Sequence, residues 1–155
     1  MTRFYRKGKT KFFALPAVAN PSTGPTRVEI TAGTPLTDIA AVSGFSLTGS
    51  TVPTPDLDSR FVTSVAGDDT VENPSITFWD DDDETEIRDV LAKDTELFIV
   101  YMPYGDVPTK RCEVWQVTSL GVNDQIDLSA AGQFMVGFSV NEVPEQNAVI
   151  PAATP

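Results

Sequence analysis

Histidine is absent from the 155 residues. Its absence excludes Ser-His-Asp and Cys-His nucleophiles, histidine-ligated metals and an imidazole proton shuttle near neutral pH. Cysteine is nearly as scarce. The single Cys112 can form neither a disulfide within the chain nor a thiolate zinc cage. No apolar run approaches the roughly 20 residues of a membrane span. Neither phosphate-cradling glycine pattern, G-x-x-x-x-G-K-S/T or G-x-G-x-x-G, occurs. Basic residues are few, 11 Lys+Arg against 22 Asp+Glu, for a formal charge of -11. What remains open is a binding or structural protein, or an enzyme that works with carboxylates. The length fits one domain with a sizeable core, and 41% hydrophobic residues is a globular composition.

The charge is unevenly placed. Residues 1–11 hold Arg3, Arg6, Lys7, Lys9 and Lys11 and no acid, a local charge of +5. The other 144 residues then hold 6 basic against 22 acidic side chains, a balance of -16. Such a body repels nucleic acid phosphates and anionic lipid. The basic arm suits nucleic acid, a membrane surface, or another copy of the acidic body. Lys7–Lys11 followed by Phe12–Leu15 and Ala17–Ala19 mimics a secretory leader. The apolar stretch Phe12–Ala19 is only 8 residues long and is broken by Pro16, so it reads as a strand ending in a turn.

Along the chain, residues 10–15 and 27–32 read as strands, separated by the turn cluster Asn20–Pro25. Val42 to Leu47 is a short strand candidate interrupted by Gly44. Residues 49–59, with two prolines and no period, read as a loop; Phe61–Val65 resumes alternation; Ala66–Pro74 reads as an acidic loop; Ser75–Trp79 is a strand. One helix is expected after Asp80. The acids Asp80–Glu84 and Glu86 suit its first turns, Ile87, Val90 and Leu91 give it an apolar face, and Lys93 suits its end. Glu96–Met102 reads as a strand buried on both faces. Arg111–Leu120 reads as a strand whose alternation is disturbed at Trp115, suggesting a bulge there. Phe134–Val143 alternates cleanly, and Pro144–Pro155 reads as an extended, mobile tail. The expected organisation is an arm at 1–11, one domain at 12–143 and a tail at 144–155. The expected fold is mainly β, a β-sandwich or barrel with one flanking α-helix.

Few constellations carry chemistry. The run Asp80–Glu84 offers carboxylates to Ca²⁺ or Mg²⁺, but it lacks the glycine turn and spaced glutamate of an EF-hand loop, and it fits an acid-capped helix start. Nothing marks two of the acids as a glycosidase pair. Cys112 beside Arg111 invites a reactive thiolate, yet a free cysteine on a strand usually packs as a small core residue. Trp79 and Trp115 suit base or sugar stacking, although strand aromatics more often anchor a core or an interface. No cofactor is expected. A monomeric carboxylate hydrolase, a carbohydrate-binding sandwich and a secreted surface protein stay open as alternatives to a self-assembling structural subunit.

Three blocks in order carry a resemblance. The first is Leu36-Thr37-Asp38-Ile39, Gly44-Phe45 and Thr54-Pro55-Asp56-Leu57-Asp58-Ser59-Arg60-Phe61. The second is Ser75-Ile76-Thr77-Phe78, an acidic stretch, then Ile87-Arg88. The third is Phe134-Met135-Val136-Gly137-Phe138-Ser139-Val140 followed by Pro144-Glu145. Together they resemble the major tail tube proteins of long-tailed, non-contractile bacteriophages, particularly those infecting actinobacteria. The resemblance implies hexameric rings that stack into a tube, built in the host cytoplasm and carried in the virion. That tube would enclose the tape-measure protein, meet tail terminator and distal tail proteins, and conduct double-stranded DNA without binding it specifically or involving a membrane. Candidate contacts between subunits or rings are Arg3, Phe4, Arg6, Lys7 and Lys9 of the arm, and Pro53, Pro55, Asp56, Leu57, Asp58 and Arg60 of the proline-bearing segment. Asp68, Asp69 and Glu72 are candidates for the channel lining, where a negative surface keeps DNA moving.

Overall fold

The computed structural model describes residues 2–83 and 86–152. Its elements run β1 (Lys11–Leu15), α1 (Arg27–Ala32), β2 (Thr34–Leu36), β3 (Ile39–Ser43), β4 (Leu47–Thr54), β5 (Thr63–Val71), β6 (Ser75–Trp79), α2 (Glu86–Val90), β7 (Glu96–Met102), β8 (Arg111–Gln125), β9 (Gln133–Val140) and β10 (Glu145–Val149). The chain is mainly β, as its patterning predicts. The strands of the large sheet follow the order β2-β1-β7-β8-β9-β6-β3, with β10 also paired to β8, and β4 and β5 form a separate two-stranded ribbon. Each pairing is antiparallel.

The large sheet must curl. Seven strands laid flat would set β2 and β3 about 29 Å apart at roughly 4.8 Å per gap. Leu36 ends β2 and Ile39 begins β3, and three residue steps reach at most about 11 Å. The two ends of the sheet are therefore drawn together, as in a barrel. The curl creates an inner and an outer face, and alternation sorts side chains between them. Phe12, Leu36, Ile76, Phe78, Leu97, Ile99, Trp115, Val117, Phe134, Val136 and Phe138 meet in one buried cluster. Leu15, Val100, Met102, Cys112 and Val114 lie on the opposite face with Val18, Ile30, Ala148 and Ile150. In β7, Leu97 and Ile99 join the first cluster and Val100 and Met102 the second, which is why that strand reads as a continuous apolar run.

The same arrangement corrects the reading of β8. No bulge lies at Trp115, since pairing with β7 runs in unbroken register from Glu96↔Thr118 to Tyr101↔Glu113. The apparent phase break is two faces buried at once, with Cys112 and Val114 outward and Trp115 and Val117 inward. The irregularity lies further on, between Ser119 and Val122, where β8 carries one residue more than β9 and Gly121 has φ 117.

Residues Arg27–Ala32 form a helix rather than the strand their alternation suggests. A capping box decides it. Glu29 donates its backbone N–H to Thr26 Oγ1 at 3.3 Å, and Thr26 N–H donates to Glu29 Oε1 at 2.8 Å. A second hydrogen bond, from Ala19 N–H to Glu29 Oε2 at 2.7 Å, ties this helix to the preceding loop. Ile30 is then buried against the outer cluster. The helix expected after Asp80 is confined to Glu86–Val90. Its apolar trio lands as expected, with Leu91 buried and Ile87 and Val90 packed against the inner cluster. Asp80–Asp83 precede it outside regular structure, and Glu84 lies outside the described residues.

Two expected loops are strands. Residues 49–59 and 66–74 contribute much of β4 and β5, which pair from Leu47↔Val71 to Thr54↔Thr63. Pro53 hides the period without breaking the ribbon, because an edge strand tolerates a missing donor. Gly44, at φ 83, makes the break between β3 and β4; a Cβ there would sit 2.7 Å from Pro74 Cα. The segment expected as an extended, mobile tail holds β10, with Ala148 and Ile150 buried. Arg27 secures the next two residues, donating to the carbonyls of Pro151 and Ala152 at 2.8 and 2.9 Å while pairing with Asp106 at 2.8 Å.

Candidate functional site

Apart from Val71, which packs against the inner cluster where β5 ends, the β4–β5 ribbon stands away from both cores. Every residue from Thr48 to Thr54 is exposed, as is every residue from Pro55 to Ala66. Val52 and Val65 pair directly across the ribbon and so share a face, yet they remain 50% and 54% exposed. Phe61 and Val62 are also exposed. No charged residue occurs in Leu47–Pro55 or Phe61–Gly67. A two-stranded ribbon wetted on both faces is marginally stable in water at best.

At the far end of the ribbon, a local turn presents Leu57. Asp58 N–H donates to Asp56 Oδ1 at 3.0 Å, Ser59 N–H to the Asp56 carbonyl at 3.2 Å, and Phe61 N–H to Ser59 Oγ at 3.1 Å. Leu57 is fully exposed between Asp56 and Asp58, with Pro53 and Pro55 behind it and Arg60 beyond it in the chain. Asp68 and Asp69 lie at the other end of the ribbon. They belong to β5 rather than to a loop and sit where β5 carries one residue more than β4, between the pairs Thr51↔Ala66 and Gly49↔Asp69. Ser50 Oγ donates to the Asp68 carbonyl at 2.7 Å. Glu72 comes directly after the strand.

The basic arm folds against its own chain. Phe4 packs on Tyr104 with ring centroids 5.2 Å apart, and Arg6 and Lys9 lie over the Phe4 ring at 5.4 and 5.3 Å. Arg6 also donates to the Tyr101 hydroxyl, and Thr10 Oγ1 donates to the Pro103 carbonyl at 2.9 Å. Among the described residues, Arg3, Arg6, Lys7 and Lys9 form no ion pair within the chain. Between this arm and the outer edge of β3 lies a groove of about 610 Å³. Arg6 and Lys7 of the arm, Ala41, Val42 and Ser43 of β3, and the aromatics Phe12, Phe45 and Tyr101 line it. Phe12 stacks on Tyr101 at 4.9 Å and meets Phe45 at 5.9 Å.

Burial pushes the Cys112 thiol up to about 11, against a smaller opposing pull from Arg111, so it packs as a core residue. The Glu29 and Asp127 carboxyls are both held below the usual carboxylate range. Burial opposes the charge of Glu29, but hydrogen bonds from Thr26 and Ala19 outweigh it; Asp127 is lowered by the Ser129 backbone and hydroxyl. A general acid requires the opposite direction. Within the acid run, Asp80 pairs with Arg88 at 3.1 Å; Arg88 also pairs with Asp124 and lies 4.4 Å over the Phe134 ring. Trp115 is fully buried, and Trp79 is 44% exposed at the end of β6.

No curated protein matches this chain. Among solved structures, a chain of the anti-feeding prophage baseplate, described as six-fold symmetrised, superposes with a TM-score of 0.57 at 8% identity, covering 92% of this chain and 95% of that one. A chain from the tail of an empty GTA particle with C6 symmetry gives a TM-score of 0.49 at 13% identity, covering 90% and 95%. The family model described as phage tail tube protein matches residues 1–153. With its curled sheet and its uncovered ribbon, the chain belongs to the phage tail tube protein family.

Proposed function

We propose that this protein assembles into hexameric rings that stack into the tail tube of a virion, and that the channel encloses a tape-measure protein before conducting the genome. The uncovered β4–β5 ribbon, whose strands carry charge only at Asp68 and Asp69 near its base, carries this reading, because a second copy of the chain supplies the cover the ribbon lacks within one subunit. Family membership supports the tube, and the six-fold symmetry of the anti-feeding prophage assembly supports the ring size. The contacts are heterologous, so repetition closes into a ring or extends along an axis. Ribbon residues Pro53, Pro55, Asp56, Leu57, Asp58 and Arg60 reach a neighbouring ring. Residues Arg3, Phe4, Arg6, Lys7 and Lys9 present a basic surface to the acidic body of an adjacent subunit. Asp68, Asp69 and Glu72 at the base of the ribbon line the channel, whose negative field keeps DNA from binding. Tail terminator and distal tail proteins close the two ends of the stack. Residues 1–11, 12–143 and 144–155 act as arm, body and tail in this assembly. Negative-stain microscopy and light scattering of the purified protein test the reading. Rings or hollow tubes are expected, and a strict monomer at high concentration, together with absence from the tail shaft of virions, would reject it.

A further inference from the structure

The ribbon tip and the arm groove complement each other in polarity and charge. Leu57 is a fully exposed apolar knob flanked by Asp56 and Asp58. The groove has an aromatic lining of Phe12, Phe45 and Tyr101 beside the cations Arg6 and Lys7. Its volume of about 610 Å³ falls within the range that holds a small ligand, ample for a leucine with its neighbours. We propose that the tip Asp56-Leu57-Asp58 of one copy docks into the groove between the arm and β3 of a second copy, Leu57 covering the aromatics and the two acids facing Arg6 and Lys7.

The tip is unable to fill the groove of its own subunit. Gly44, Phe45 and Ser46 line the groove and lead directly into β4. The eight residues of β4 then carry the chain about 27 Å away at roughly 3.4 Å per residue. The occupant must come from another molecule, and the contact is heterologous, as a growing stack requires. Cations left without an ion pair in one subunit thereby gain carboxylates in the next. Charges placed this way select orientation and register more than they add affinity.

This inference rests on the tube reading, so its test separates the two. Full-length protein carrying Leu57→Cys and Val42→Cys is allowed to assemble and is then oxidised. The two positions lie too far apart in one chain for an internal disulfide, which needs Cα atoms about 4.4–6.8 Å apart, and native Cys112 is buried. A ladder of covalent multimers on a non-reducing gel is the expected result. A control pairs Leu57→Cys with Val28→Cys, an exposed site on α1, and is expected to give no ladder. Tubes that form without linking Leu57→Cys to Val42→Cys, or that link the control equally, would overturn the docking and leave the tube standing. Unaltered protein that stays a strict monomer at high concentration and is absent from the tail shaft of virions would overturn both. Charge reversal gives a second readout. Asp56→Lys with Asp58→Lys should raise the concentration needed for assembly about ten-fold or more, and adding Arg6→Glu with Lys7→Glu should restore it. Assembly indifferent to both reversals would also contradict the docking.

Discussion

Trp115 is the largest fully buried side chain, and its indole nitrogen has no hydrogen-bond partner among the described residues. Its ring stands perpendicular to Phe45 at 5.4 Å, so it fills space and supports the groove lining from beneath without engaging a polar network. Trp115→Ala should therefore cost about 3–5 kcal/mol through the cavity it leaves. Trp115→Phe should cost clearly less, since the N–H it removes has no bond to lose. Urea unfolding of both variants measures the difference, and equal losses would contradict this account. Cys112 gives a pH signature. Its thiol is raised from an ordinary value of 9.0 to about 11, chiefly by burial. Because the folded-state value lies above the unfolded one, its contribution to stability is complete below about pH 9 and is lost between pH 9 and about 11. Thiol labelling at pH 8 should be slow in the folded protein and fast in urea. Labelling at the same rate in both would show the thiol to be accessible.

At the scale of elements, the ribbon made by β4 and β5 is the part whose stability depends on company. Hydrogen exchange should find the amides of Leu47–Thr54 and Thr63–Val71 poorly protected in isolated subunits and strongly protected after assembly, while β7 and β8 remain protected in both. Equal protection of the ribbon in both states would mean that assembly leaves it uncovered. The same elements show where sequence patterning succeeds. β7 is legible because burial on both faces leaves a continuous apolar run, and β9 because burial of one face leaves a period, as it does for the trio Ile87, Val90 and Leu91. The ribbon is mostly not, because within one chain its faces stay exposed except at Val71 and alternation marks only Phe61–Val65. Alternation over six residues misleads for α1, although the T-x-x-E spacing of Thr26 and Glu29 stands in the sequence as the better signal. β10 buries only Ala148 within it and Ile150 just beyond, too short a stretch for periodicity to report. The candidate contacts at Pro53–Arg60 are legible as a segment with no core period, whereas the groove, assembled from the arm, β1, β3 and β7, is invisible before folding.

At the scale of the molecule, charge and topology serve one design. The curled sheet buries two clusters back to back, which leaves the ribbon and the acidic surface exposed to solvent. A body of balance -16 repels a passing polyanion, whereas cations along a channel would hold it through salt-dependent contacts. Asp68→Lys, Asp69→Lys and Glu72→Lys together should leave rings able to form but slow genome ejection, and the slowing should grow at low salt, where screening weakens. Ejection rates unchanged at every salt concentration would place these acids away from the channel. The central claim, that copies of this chain cover one another's ribbons in stacked rings, is tested most directly by a cryo-EM helical reconstruction of the assembled protein. The account predicts six subunits per ring, with residues 47–71 of each packed against another copy. A tube whose ribbons project uncovered into solvent, or particles that contain a single chain, would contradict it.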